Sequence, residues 1–412
     1  MSDSVSVPFP RRAIGLALIS TAALALAGAG ASMARAQASG GTATYWMIAD
    51  TASGMGMMAG GGGGAAAMRS MMMGGGAGAG HAYNLRLELG TSRKPAGEPS
   101  AEHVPPAGLR AGASLPLVTP RSAPPADWRH NMEKPKGRLL IYWGCGDKAR
   151  PGQPVVLDFA AMMAGKMPPA FASVNTYSPP SAGRHTTYGE WPNARSQTHV
   201  PAGGSLVGEH LVRGNYTPDI KFSLTQGQDF MAPVRVSGNE AGPGGAVPLA
   251  WQPVTGSKAW FASTMGAAEN GDMIMWSSSE SQAMPMMMSH MSPGEISRLV
   301  QSKVLLPATA TRCTVPAEVA RASQSAMLMV TAFGSEYNFS HPARPANAPA
   351  SWRPDWTVKV LTKSTYSGIL GMDMSEMFGG RQSMQGMEED EEETPRRRRR
   401  PGLPGLGSIF GQ

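Results

Sequence analysis

The stretch Tyr83-Asn84-Leu85-Arg86-Leu87-Glu88-Leu89 alternates apolar and polar side chains without a break. In an extended chain successive side chains point to opposite faces, so Tyr83, Leu85, Leu87 and Leu89 face one way while Asn84, Arg86 and Glu88 face the other. This reads as a strand buried on one side. Working outward, similar segments lie at 44–49, 138–143, 155–159, 206–216 and 219–224. A boundary is expected near 226–232. Beyond it strands are expected at 233–237, 247–251, 257–264, 271–277, 326–333 and 356–363. The Pro-rich stretch 94–127 is expected to be an irregular crossing segment. One helix is well signed: Ser292 caps, Pro293 fits the first turn, Glu295 completes a capping box, and Ile296, Leu299 and Val300 form the apolar stripe. A shorter helix is expected from Pro316.

Composition agrees with short strands and many turns. Only 16% of residues are charged, while 51 Gly and 35 Pro make up about a fifth of the 412 residues. The pattern predicts an all-β fold with two Ig/fibronectin-like β-sandwich domains, one or two short helices and a disordered C-terminal tail. The domains are placed at 39–225 and 226–378, after a signal peptide over 1–38 and before a charged tail over 379–412.

Arg11 and Arg12 precede an uncharged apolar run over 13–30, and small residues follow to Ala36-Gln37-Ala38. A basic flank, an apolar centre and an A-x-A site predict an export signal cleaved near Ala38, placing the protein in the periplasm or outside the cell. The Arg pair leaves the twin-arginine route open beside general secretion. The remaining chain carries 33 basic and 28 acidic residues, or +5, too small and too scattered a surplus to imply nucleic acid as a partner. The two cysteines, Cys145 and Cys313, can bridge in an oxidising compartment or stay as buried thiols.

Two resemblances bear on the fold. Val247-Pro248-Leu249-Ala250-Trp251-Gln252-Pro253-Val254, followed by Lys258-Ala259-Trp260-Phe261, resembles the opening strands of a fibronectin type III-like domain. It implies a sandwich and no activity. Gly137 to Gly146, Gly214-Asn215-Tyr216-Thr217-Pro218-Asp219-Ile220 and Trp352 to Ser364 resemble segments of exported β-rich proteins of Gram-negative bacteria, a family of unknown function. That resemblance implies export and brings no chemistry with it.

The signals that bear on chemistry are dominated by 30 methionines. Met55, Met57, Met58, Met68, Met71, Met72 and Met73 lie in a Gly/Ala tract. Met284, Met286, Met287, Met288 and Met291 surround His290, and Met372, Met374, Met377, Met384 and Met387 fall toward the C-terminus. Thioethers are soft ligands that favour Cu(I), and mixed imidazole and thioether ligation makes Met284, Met286, Met287, Met288, His290 and Met291 the candidate metal set. Adaptable apolar filling and sacrificial oxidation are the plainer readings. Gly54-Met55-Gly56-Met57-Met58-Ala59 matches a dinucleotide fingerprint only formally, since no helix N-terminus follows to hold a pyrophosphate.

No catalytic template is present: no G-x-S-x-G, H-E-x-x-H, phosphate-binding Gly loop or paired C-x-x-C occurs. His185 and His199 flank a polar stretch with Tyr188, Glu190 and Trp191 that is able to line a surface pocket. Trp46, Trp191, Trp352 and Trp356 lie near turns or prolines, where an aromatic platform for a sugar is conceivable.

In the tail an acidic run over 388–393 precedes Arg396, Arg397, Arg398, Arg399 and Arg400. Such blocks resist packing, and the arginines are suited to anionic lipid headgroups or an acidic partner. The expected function is a non-catalytic binding or structural role in the cell envelope, with a protein or polysaccharide partner. The rival expectations are a periplasmic Cu(I)-binding protein and an envelope-polymer hydrolase.

Overall fold

The computed structural model describes residues 42–59, 80–120, 137–158, 160–161, 171–196, 198–323 and 325–372, all within one compact unit. The segment read as an export signal, the Gly/Met tract beyond Ala59 and the charged tail lie outside the described residues.

The fold is mostly β. In chain order the strands are β1 (Ala43–Gly54), β2 (His81–Thr91), β3 (Ala101–Val104), β4 (Leu115–Leu117), β5 (Arg138–Trp143), β6 (Val155–Asp158), β7 (Thr187–Trp191), β8 (Gly208–Gly214) and β9 (Thr217–Leu224). They continue as β10 (Val236–Ser237), β11 (Val247–Trp251), β12 (Ala259–Ala267), β13 (Met273–Ser277), β14 (Leu306–Pro307), β15 (Arg312–Val315), β16 (Met327–His341) and β17 (Trp356–Ile369). The helices are α1 (Gly56–Ala59), α2 (Pro293–Gln301) and α3 (Ala317–Ala322).

One ten-stranded sheet runs β6-β5-β13-β12-β16-β17-β1-β2-β7, with β14 beside β12. It draws strands from both sides of residue 225, joined where β1 and β17 pair in parallel from Ala43↔Trp356 to Gly54↔Ser367. The boundary expected at 226–232 falls between β9 and β10, and it does not separate two independent sheets. Two smaller sheets, β4-β3-β8-β9 and β10-β11-β15, complete the architecture.

Both small sheets cover the same face of the large one. Tyr45, Met47 and Ala49 of β1, Leu85, Leu87 and Leu89 of β2, and Val358 and Val360 of β17 pack against Leu115, Val212, Ile220 and Phe222. Further along, Trp260, Ala262, Ile274, Trp276, Leu328 and Val330 pack against Leu249, Trp251, Cys313 and Val315. Residues of one parity on β17 serve both cores, with Val358 and Val360 in the first and Tyr366 in the second. Residues of the other parity line a second face, which α2 covers only in part.

The stretch 94–127, expected to be irregular, contains β3 and β4. Both are too short to show alternation. Pro116 is tolerated in β4 because that strand is the edge of its sheet, where no ladder donor is missed. Strands β7 and β15 also escaped the pattern. The expected helix is α2, and Ser292 Oγ accepts from the Glu295 backbone N–H at 3.0 Å. The capping box is only half formed: the Glu295 carboxylate accepts instead from the Asn175 backbone N–H at 2.8 Å and from Arg298. This holds segment 171–176 against the helix. Cys145, just after β5, and Cys313, in β15, form a disulfide with Cα atoms 5.2 Å apart.

Candidate functional site

The second face of the large sheet carries a cleft of about 720 Å³. Its floor follows from strand register. Asp50 of β1 stands between Asn84 of β2 and Lys363 of β17, and Ile48 stands opposite Arg86 in the neighbouring row. Asn84 and Arg86 reach this face because Leu85 and Leu87 occupy the core on the other side. The walls come from two loops, one with Asn193, Thr198 and His199 and the other with Ser289 and His290.

The charges on the floor are paired and exposed to different degrees. Lys363 Nζ lies 3.5 Å from Asp50, whose carboxylate also accepts from the Thr365 hydroxyl at 3.3 Å. Burial raises the Asp50 pKa, and Lys363 opposes the rise. Arg86 donates one bond of 2.8 Å to Glu88 and leaves its remaining donors free to turn to the cleft, with over half of its side chain exposed. Glu88 faces Glu190 across the strands, and burial raises its pKa. Both carboxylates are engaged, Glu88 by Arg86 and Glu190 by the Tyr188 hydroxyl at 2.8 Å, and neither lines the cleft.

His290 sits in the left-handed region at φ 52°, uncommon for a residue with a side chain. The Tyr177 backbone N–H holds the turn by donating to the His290 carbonyl at 2.7 Å. The ring lies edge-on to Trp46 with centroids 6.1 Å apart. Burial, with the charges of Arg86 and Lys363, pushes the His290 pKa down to about 4, so the imidazole is neutral near pH 7. Asp50 bonds to Thr365 and Lys363 rather than to His290, so the cleft carboxylate does not orient the imidazole.

Of the candidate metal set, Met288, His290 and Met291 line one small cavity of about 50 Å³. Met288 and Met291 are buried against Ile296, Leu299 and Phe333, beneath α2, and act as core filler. Met284 leans on the apolar group of Leu139, Ile141, Leu157 and Met275. Met286 and Met287 are exposed, Met286 at the rim of a neighbouring cavity, and His290 lines the cleft as well as the small cavity with Met288 and Met291. Among the described residues no three His, Cys, Asp or Glu side chains come together in a way that suits an ion.

Of the two histidines read as flanking a pocket, His199 lines the cleft, whereas the His185 ring packs on Gly90, where an added Cβ would meet it at 2.6 Å. The tryptophan platform is not assembled. Trp46, Trp191 and Trp356 are buried, and Trp352 carries Arg344 at 5.7 Å from its ring centroid. Sequence reasoning missed Asp50 and Lys363 as site residues. Only the alternation of 83–89 signalled that Asn84 and Arg86 leave the core.

No family model, curated protein or solved structure matches the chain. No helix among the described residues is long and apolar enough to cross a membrane.

Proposed function

We propose that this chain is an exported cell-envelope protein that binds, without chemical turnover, a polar solute or polymer end carrying an anionic group. The observation that carries the reading is the cleft floor. There Arg86 stands beside Asn84 on β2 and Lys363 lies across Asp50, the single lining carboxylate, with neutral His290 on one wall and His199 on the other. This arrangement offers convergent donors and a small positive surplus, and it lacks an assembled proton relay. The Cys145–Cys313 disulfide supports an oxidising compartment, in agreement with the basic and apolar N-terminal pattern. Two cores on one shared sheet support reading the fold as two fused sandwiches, with the fibronectin-like likeness belonging to the second.

The test is a thermal-shift and calorimetric comparison of N-acetylmuramic acid with the neutral N-acetylglucosamine. The carboxylated sugar is expected to raise the melting temperature and the neutral one to leave it unchanged. The gain should disappear in Arg86→Gln and Lys363→Met. Equal response to both sugars, or release of cleaved product from cell-wall fragments, overturns the reading.

A further inference from the structure

On the same face as the cleft, on the strands that adjoin it, methionines stand in register. Strands β13, β12 and β16 are neighbours in that order. Met265 of β12 lies directly opposite Met275 of β13 on one side and Met327 of β16 on the other. Met329 follows two residues along β16, opposite Ser263, and Met273 lies two residues before Met275, opposite Ala267. Their sequence neighbours Ile274, Trp276, Leu328 and Val330 fill the core on the opposite face. Met275 is buried beside Ile141, but Met265, Met273, Met327 and Met329 are exposed.

The choice of residue is selective. Seven of the eight large apolar side chains exposed among the described residues are methionines, Val156 being the exception. A merely greasy surface would use leucine, valine and isoleucine as freely, and these fill the core instead. At nearly equal volume, what methionine adds to leucine is a soft, polarisable sulfur. Directly opposed residues in a sheet have Cβ atoms about 4.5–5.5 Å apart and diagonal ones about 7–8 Å, so flexible methionine arms can bring three sulfurs to one point.

We propose that Met265, Met327 and Met329 form an all-thioether site for Cu(I), with Met286 as a fourth donor from above. Met286 and Met329 line the same 380 Å³ cavity, whose other walls include Ser263, Thr331 and Ser367 and, toward the cleft, Asp50, Asn84 and Lys363. Neutral sulfur donors suit a soft monovalent ion and not Zn²⁺, which takes thiolate, imidazole or carboxylate. In the loop set around His290 two of the sulfurs, those of Met288 and Met291, are buried in the core. The strand set is aligned by backbone pairing. The ligands of this site are sulfurs and none of them belongs to the anionic-ligand set, although Asp50, Asn84 and Lys363 line both cavities.

The experiment is peroxide footprinting of the full chain with and without Ag(I), a redox-inert stand-in for Cu(I), read peptide by peptide by mass spectrometry. With the ion at about ten times its dissociation constant, sulfoxide formation at Met265, Met327 and Met329 is expected to fall together by on the order of tenfold. Met287 and Met372, exposed but outside the row, are expected to oxidise at their original rate. In the Met265→Leu/Met327→Leu double variant, which conserves volume, Met329 should lose its protection while the melting temperature stays at the parent value. The site is overturned by unchanged oxidation of the three residues, by equal protection of Met287 and Met372, or by protection of Met329 that survives in the double variant. Loss of sugar binding in the Arg86 and Lys363 variants bears on none of these outcomes.

Discussion

The most constrained polar residues are not in the cleft but in the first core. The Tyr45 hydroxyl lies 2.6 Å from His103 Nδ1, His103 Nε2 lies 3.1 Å from His210 Nδ1, and His210 Nε2 lies 2.7 Å from the Leu206 carbonyl. A carbonyl can only accept, so His210 Nε2 carries the proton. His210 Nδ1 must then accept from His103 Nε2–H, and His103 Nδ1 from the Tyr45 hydroxyl. Every polar atom of the relay is satisfied only while both rings are neutral. Burial pushes His210 down to about 4, and burial with the neighbouring His210 lowers His103 well below its usual value. Both rings therefore bind protons in the unfolded chain before they do so in the folded one. Stability is intact above about pH 6.5 and should fall as pH drops toward about 4, by roughly 1.4 kcal/mol per pH unit for His210 within that window, with His103 acting in the same direction. Denaturant titrations at pH 7.5 and 5 should show this loss, and His210→Gln should flatten the slope. A pH-independent midpoint across that range would contradict the neutral relay.

Among the elements, α2 shows how a local signal and a distant contact divide one helix end. Ser292 caps it as its sequence implies, and Ser292→Ala should lower the unfolding free energy by about 1 kcal/mol, measurable by urea denaturation. Glu295 is read locally as the reciprocal cap, yet its carboxylate is taken by Arg298 and then Asn175, which hold its pKa down to about 2. Strand β16 shows a similar division. Its alternating half, Met327 to Phe333, is legible in sequence. Its continuation to His341 passes a register shift between Phe333 and Glu336, after which the parity facing the core changes. A bulge of that kind hides the alternation from any period-two reading.

For the molecule as a whole, the disulfide ties the loop after β5 of the large sheet to β15 of the small sheet that covers it, closing a sequence separation of 168 residues. In the chain-entropy model such a loop restricts the unfolded state by about 5 kcal/mol, and removal of native bridges commonly costs about 2–5 kcal/mol. Cys145→Ala/Cys313→Ala should lose stability in that range by denaturant titration. Reducing agent should destabilise the parent and leave the double variant unaffected. The parallel β1–β17 pair makes a further long-range closure, so the two cores are built on one continuous sheet.

Residue order alone specified most strands, the α2 cap and the β-rich class, because side-chain alternation and capping are properties of a few consecutive residues. Arg138–Trp143 and Val247–Trp251 lie where their patterns place them. The pairing of strands distant in sequence was not legible, and with it went the shared sheet, the Asp50–Lys363 floor across 313 residues and the alignment of Met265 with Met327 across 62. Those features depend on which strands become neighbours, and that is decided by the burial of whole faces rather than by any local sequence. The methionines illustrate the difference. Their clustering in sequence pointed to the loop around His290, where burial uses Met288 and Met291 as filler. The sulfurs that share an exposed row come from strands that only folding brings side by side.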